Sequence, residues 1–457
     1  MQIEMLPIYL RIGRCFVSRS TDLSKVEMLG IKKIKRIGLW LLLGLSVSWL
    51  LSCNSGPSTS GKPELEFWTM QLQPKFTQYF NDLIATFEKD NPEVKIRWVD
   101  IPWEAMESKI ITAVSASTAP DVVNLNPNFA SQLASRNAWL DLNDKITTEA
   151  KQEYLPKIWQ ASTLGDRSFG IPWYLTTQIA IFNRDLLAKA GISKPPATYQ
   201  ELATAAQQVK EKTGKYACFF TFVPDDSGEV LESLVQMGVK LVDADGKAAF
   251  DNPTGLAAFN YWVDLYKKGL LPPEVLTQGH RHGIELYQAG ELAMLSAGAE
   301  FVETIETNAP AVAKVSTAAP QITGDTGKKN VAVMNLIVPN STDKADEAVK
   351  FALFVANTPN QLAFAKSANV LPSTVDGVEQ YIKDLEKQEN TSPLQKEARK
   401  VSAMQLKDAE VLVPAMKNLN QLQKVIYENL QSAMLDEKTV EQAVKDAAQQ
   451  WNQLNEQ

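Results

Sequence analysis

The sequence is poor in the side chains that most often bind metals or act as nucleophiles. Its 457 residues include 3 cysteines and 2 histidines. Cys15 and Cys53 fall within or at the edge of a leader-like segment, leaving Cys218 alone in the body, so no internal disulfide can form there, and none is needed at this length. Cys218 lies in the apolar run KYACFF and is expected as a buried small hydrophobe. His280 and His282 flank Arg281, a poor ligand pair, so no metal site is expected. Asp243-Ala244-Asp245-Gly246 lacks the third acidic position and closing Glu of a calcium loop and reads as a hairpin turn. The chain also has no Gly-rich phosphate loop, nucleophile elbow, helical His-Glu pair or internal repeat. No cofactor and no enzyme chemistry are expected, although paired carboxylates for glycoside hydrolysis stay open as a rival, because their spacing is spatial. Basic charge is short as well: without residues 1 to 52 the chain keeps 38 Lys/Arg against 50 Asp/Glu, a surface that repels nucleic acid.

What is present begins with a targeting pattern. Lys32, Lys33, Lys35 and Arg36 precede an apolar run from Gly38 to Leu51, fourteen residues, too short for a span of about 20 but suited to a signal peptide. Met28 is a possible start of translation, because residues 1 to 27 are long and mixed in charge for a basic leader. Residues 53 to 63 have the Ser/Gly/Pro composition of a flexible tether. The remaining length suits two cores.

From Leu65 the pattern alternates strand and helix: LEFWT, a helix carrying Phe76, Phe80, Leu83, Ile84 and Phe87, a strand at Val94 to Val99, a helix from Glu104, and PDVVNLN. This predicts an α/β lobe with a largely parallel sheet, in which ligands sit beyond the carboxyl ends of strands. That rule singles out Trp68 with Thr69, Asp100 to Trp103, and Asn124 to Asn126. The segment FGIPWYLTTQIAIFNRDLLAKAG, Phe169 to Gly191, joins a Gly-x-Pro crossing to a strand over Gln178 to Phe182 and a helix opened by Asn183 and ended by Gly191. Thr198 and Glu201 form a capping box, KYACFFTF reads as a buried strand whose end, Phe220 to Asp225, faces the cleft, and Asn252-Pro253 opens a helix through Trp262 to Gly269. Beyond Pro359 the pattern is almost wholly helical, with long amphipathic stretches from Leu394, Ala415 and Asp436.

The GIPW and FNRDLLAKAGI wording, the KPPATYQEL that follows, ELYQAGELAMLSAGAE over Glu285 to Glu300, and VAVMNLIVPNSTDKADEAVKFALFV over Val331 to Val355 resemble the carbohydrate-binding solute-binding proteins of ABC importers, the family that includes the maltose-binding protein. The Leu50-Leu51-Ser52-Cys53 ending resembles a bacterial lipobox, which implies residues 1–52 as signal peptide and Cys53 as the acylated N-terminus. The resemblance implies a two-lobed periplasmic-binding-protein fold of type II, each lobe a mixed sheet flanked by helices, with the helical C-terminal region on the second lobe. Residues 64–172 with 285–338 would form the first lobe, and 173–284 with 339–457 the second; the strand within Glu285 to Glu300 would bring the chain back to the first. It further implies a monomer outside the cytoplasm, membrane permease subunits as partners, and a sugar as ligand. Where the family often carries Gly-x-Trp after this strand, Gly298 is followed by Ala299, Glu300 and Phe301.

A neutral sugar needs flat apolar faces and planar hydrogen-bonding groups. Trp68, Trp103, Trp173, Tyr174 and Phe301 are the ring candidates; Trp98, Trp139, Trp159, Trp262 and Trp451 are expected rather in packing. Asn124, Asn126, Gln178, Asp225, Glu300 and Asn335, the one polar residue of its strand, are the polar candidates. A polyol or a glycerol phosphate ester is the nearest alternative ligand, although Arg97 and Lys109 are isolated and no basic cluster marks a phosphate site.

Overall fold

A computed structural model describes residues 62–455, apart from Ser135, Asp225, Asn390, Pro414, Ala415 and Lys417. The predicted signal segment, Cys53 and nearly all of the tether lie outside the described residues, as does the candidate Asp225. No helix among the described residues is long and apolar enough to cross a membrane.

The hydrophobic periodicity is realised element by element. β1 (Glu64–Met70) is followed by α1 (Thr77–Asp90), whose Phe80, Leu83 and Phe87 form the buried face. Then come β2 (Lys95–Ile101), α2 (Trp103–Ser115), β3 (Val122–Leu125) and α3 (Pro127–Ala134). β4 (Ile171–Thr176) leads through Thr177 into β5 (Gln178–Asn183). The Asn183 side chain accepts from Asp185 N and Leu186 N to start α4 (Arg184–Ala190), and Gly191 stops it at φ 77°, a conformation open to glycine. The Thr198–Glu201 capping box opens α5 (Tyr199–Thr213). α6 (Glu229–Gln236), α7 (Pro253–Lys267) and α8 (His280–Gln288) lead to β6 (Met294–Gly298), α9 (Phe301–Asn308), β7 (Ser316–Ala319) and β8 (Ala332–Ile337). The C-terminal part supplies α10 (Ala345–Val355), α11 (Thr358–Ala368), the short β9 (Leu371–Pro372), α12 (Val375–Lys387), α13 (Pro393–Met404), α14 (Leu419–Met434) and α15 (Val440–Asn455).

Two sheets organise the two lobes. The first has the order β9-β4-β8-β3-β1-β2, with β1 parallel to β2 and β3 and the other pairs antiparallel. The second is β6-β5-β7, antiparallel throughout, under a large core that includes Phe222, Phe259, Trp262, Tyr427 and Trp451. The chain passes between them at Thr177, between β7 and β8, and along α13, whose Leu394 and Ala398 lie in the second core and whose Ala403 lies in a cluster of the first lobe.

Several segments sit elsewhere than the wording predicts. β4, containing Trp173, belongs to the first sheet, whereas β6 and β7 pair with β5 and stay in the second lobe, so the Glu285 to Glu300 stretch is no crossing. α10 and α11 pack on the first lobe: the Phe351 ring meets Phe67 at 5.2 Å, and Phe364 meets Trp173 at 4.9 Å. An apolar strand or helix face announces that it will be buried, not which sheet receives it. KYACFFTF is buried but forms no regular strand; it is held by one bridge, Tyr216 with Leu292, and by Met294 N donating to Ala217 O at 2.7 Å. The Asp243–Gly246 turn is closed by Asp243 Oδ1, which accepts from the Asp245 and Lys247 amides.

Candidate functional site

Between the lobes lies a cleft of about 600 Å³. Its first-lobe wall is aromatic: Trp103, the first residue of α2, is 43% exposed, and Phe129 of α3 lies nearby with Met334 of β8. Asn126 borders the cleft while its Oδ1 accepts from Phe129 N at 2.9 Å, so it also caps α3 and sets that ring. Thr176 and Ala332 line the cleft beside the crossings.

The second-lobe wall is polar. It presents Asp226, Glu232 of α6, and Asn420 and Gln423 of α14, with Asn330 at one side. Gln423 Nε2 donates to Pro224 O at 2.6 Å, and the Tyr427 hydroxyl donates to Ser227 O at 2.7 Å, so α14 fastens the chain at Pro224 and at Ser227. Asp226 Oδ2 accepts from His280 N at 2.6 Å, at the start of α8.

This wall is electrostatically loaded. Burial, then the charge of neighbouring Glu229, pushes the Glu232 carboxyl up to about 8, against a hydrogen bond from Asn330 that lowers it. Burial alone would lower His280; Glu229, followed by Asp226 and Glu300, overrides this and holds the imidazole above its ordinary value. Burial also raises Glu300, partly offset by its own backbone amide and His280. The cleft can therefore offer a ring face on one side and several hydrogen-bonding groups on the other, the pairing that polyhydroxylated solutes require.

Residues 73–362 match the profile of the bacterial extracellular solute-binding proteins. The chain belongs to that family. This is a family of transport receptors rather than enzymes, acting outside the cytoplasm. A periplasmic-binding protein of Synechococcus sp. MITs9220, provisionally named for oligosaccharide and solved in complex with zinc, is 47% identical; the match covers 86% of this chain and 99% of that one, with a TM-score of 0.80. The cyclic α-maltosyl-1,6-maltose binding protein of Arthrobacter globiformis shares the fold at a TM-score of 0.74 and 21% identity, over 86% of this chain and 99% of that one. The diacetylchitobiose binding protein of Streptomyces coelicolor is 24% identical over 64% of this chain and 69% of its own.

In this solute-binding protein the residues singled out from sequence have different fates. Trp103 and Asn126 line the cleft. Trp68 is buried in the first lobe, its Nε1 donating to Glu66 Oε1 at 2.5 Å and Lys109 Nζ lying 4.7 Å from its ring centre. Thr69, Trp98 and Asp100 tie strand ends together: Trp98 Nε1 donates to Thr69 Oγ1, which donates to Asp100, and Asp100 also accepts from the Leu72 and Gln73 amides. Trp173 is fully buried and stacks on Phe364 with the rings 20° apart, a core residue rather than a cleft wall. Asn124 and Asn335 are buried partners, Asn124 Nδ2 donating to Asn335 O at 3.2 Å, while Ser162 Oγ donates to Asn335 Oδ1 at 2.5 Å. Burial, and after it the charge of Glu300, raises the Tyr174 phenol. Gln178 faces a small internal cavity behind the second wall and accepts from Ser296 Oγ at 3.1 Å. Phe301 packs on the second core, 6.1 Å from the His280 ring. Trp139, Trp262 and Trp451 are buried in cores, and Trp159 packs on one.

Sequence reasoning missed Glu107, Phe129, Asp226, Glu232, Asn330, Asn420 and Gln423. Of these only Phe129, in the third helix after a strand end, carried a positional signal; the others reach the cleft from a helix flank, a connecting loop or, for Asn330, a two-residue strand.

Proposed function

We propose that this protein is the lipid-anchored substrate-binding component of an ABC importer, a monomer that captures a mono- or oligosaccharide by closure of its two lobes. The observation that carries the reading is the interlobe cleft, with Trp103 and Phe129 facing Asp226, Asn420 and Gln423. Rings cover the C–H face of a sugar, and the opposite wall meets its hydroxyls. The sugars named for the Arthrobacter and Streptomyces relatives support this class. The three backbone passages between the lobes suit hinge closure, and the closed form would dock on a membrane permease. Cys53, thioether-linked to diacylglycerol, would hold the protein at the membrane, each buried methylene contributing about 0.8 kcal/mol. Among the described residues the cleft lining has neither Lys nor Arg, which speaks against a glycerol phosphate ester.

A thermal-shift screen of the purified protein against mono- and disaccharides tests the reading. A true ligand at a hundredfold its Kd should stabilise by about 2.7 kcal/mol. Trp103→Ala should weaken that ligand by about tenfold, from loss of one stacking face. A full panel without any shift would end the sugar assignment.

A further inference from the structure

Behind the polar wall sits a second, smaller cavity of about 10 Å³, bounded by Gln178, Glu229, Glu232, Gln236, Ser296 and Gln321. That is room for one water-sized group. Glu232 borders both this cavity and the cleft, and is the residue the two linings share. The neutral oxygens around the cavity are engaged: Gln178 Oε1 accepts from Ser296 Oγ, Gln236 Oε1 from the Tyr199 hydroxyl at 2.6 Å, and Gln321 Oε1 from Asn330 N at 2.6 Å. Glu229 differs. It is 4% exposed, and neither of its carboxylate oxygens has a hydrogen-bond partner. His280 Nδ1 stands 3.7 Å away, within ion-pair reach but beyond hydrogen-bond length.

A buried carboxylate is held by donors and by opposite charge, and the raised carboxyl of Glu232 beside it supplies no positive charge. Tyr199, Cys218 and Tyr427 also face this pair from α5, from the buried 217–222 segment and from α14, and none of them brings positive charge; His280 alone does, and it is shared with Asp226 and Glu300. A water would supply donors without charge. A primary ammonium group is water-sized, carries one positive charge and has three N–H donors.

We propose that Glu229 and Glu232 form a subsite for one primary ammonium group, so that the solute taken by this cleft is an amino sugar. This rests on the sugar reading above and narrows it. Because the Glu232 carboxyl sits at about 8, ammonium binding near pH 7 releases a proton from it.

The test is isothermal titration of the purified protein at pH 7, in two buffers of different ionisation enthalpy. The probes are glucosamine, galactosamine and the β-1,4 glucosamine dimer, each paired with the counterpart in which hydroxyl replaces amine, together with methylammonium chloride. At least one amine should bind about tenfold tighter than its hydroxyl counterpart, with release of about one proton. Glu229→Gln should bring that ratio to about one. Hydroxyl sugars binding as tightly as every amine would overturn the subsite and leave the sugar reading standing. A preference unchanged by Glu229→Gln would equally overturn it. Methylammonium stabilising the protein in a Glu229-dependent way, with no saccharide bound, would keep the subsite and remove the sugar reading; no binding of any probe would remove both. Should Glu229→Gln not fold, the wild-type ratio and its proton release decide the matter.

Discussion

The two walls of the cleft solve different problems. The first-lobe wall is built at strand ends and helix starts, where Trp103 and Asn126 stand at the mouths of α2 and α3 and the chemistry offered is ring faces, an amide and the Glu107 carboxyl one turn into α2. The second-lobe wall is made by helix flanks and loops, and it gathers Asp226, Glu229, Glu232 and His280 within one electrostatic neighbourhood. A strand-end wall is shaped by backbone geometry. A helix-flank wall stores unfavourable charge burial that only the surrounding core makes tolerable.

The largest expected effect separates wall from core within the first lobe. Trp173→Ala should cost about 3 to 5 kcal/mol in urea unfolding, because it opens a cavity beside Phe364 and Phe80. Trp103→Ala should stay within about 0.5 kcal/mol of wild type in the same measurement. Equal losses would mean that Trp103 is structural and the wall is misread.

Next comes the charge stored in the second wall. The Glu232 carboxyl is raised above its ordinary 4.5 to about 8, so its contribution to stability is complete below about 4.5 and is lost as pH rises through about 8. Between pH 5 and 9 the wild type should lose about 2 to 4 kcal/mol relative to Glu232→Gln, read as the difference between their denaturation midpoints. His280 shifts in the same sense in both proteins, so the comparison isolates Glu232. Parallel pH profiles would contradict the burial argument.

The smallest effect concerns how the second wall is held. Gln423→Ala removes the bond to the Pro224 carbonyl and should lower stability by about 1 kcal/mol. Solute affinity should fall as well, since the turn carrying Asp226 loses a fastening. Unaltered affinity, measured by titration, would show that α14 merely borders the cleft.

Much of the local structure was legible in the residues. The Asn183 and Thr198 caps, the Gly191 stop and the face of α1 follow from rules acting over a few positions, and each stands where those rules place it. The strand-end rule also found Trp103 and Asn126. It brought in Trp68, Thr69 and Asp100 too, because a strand end says where a side chain emerges but not whether another strand's side chain already occupies the space beyond it. Trp173 was drawn toward the cleft by its Gly-x-Pro neighbourhood, and Phe364, almost two hundred residues later, buries it.

What the sequence by itself determined is the succession of α and β elements, their caps and the family to which their wording belongs, because these depend on neighbours in the chain. Only the tertiary structure decided that β6 joins β5, that α10 and α11 cover the first sheet, and that two glutamates three positions apart on α6 border one buried cavity while His280 approaches one of them, Glu229. Those outcomes depend on which apolar face finds which partner and on how much water the meeting excludes. Both are properties of the packed whole that no local window contains.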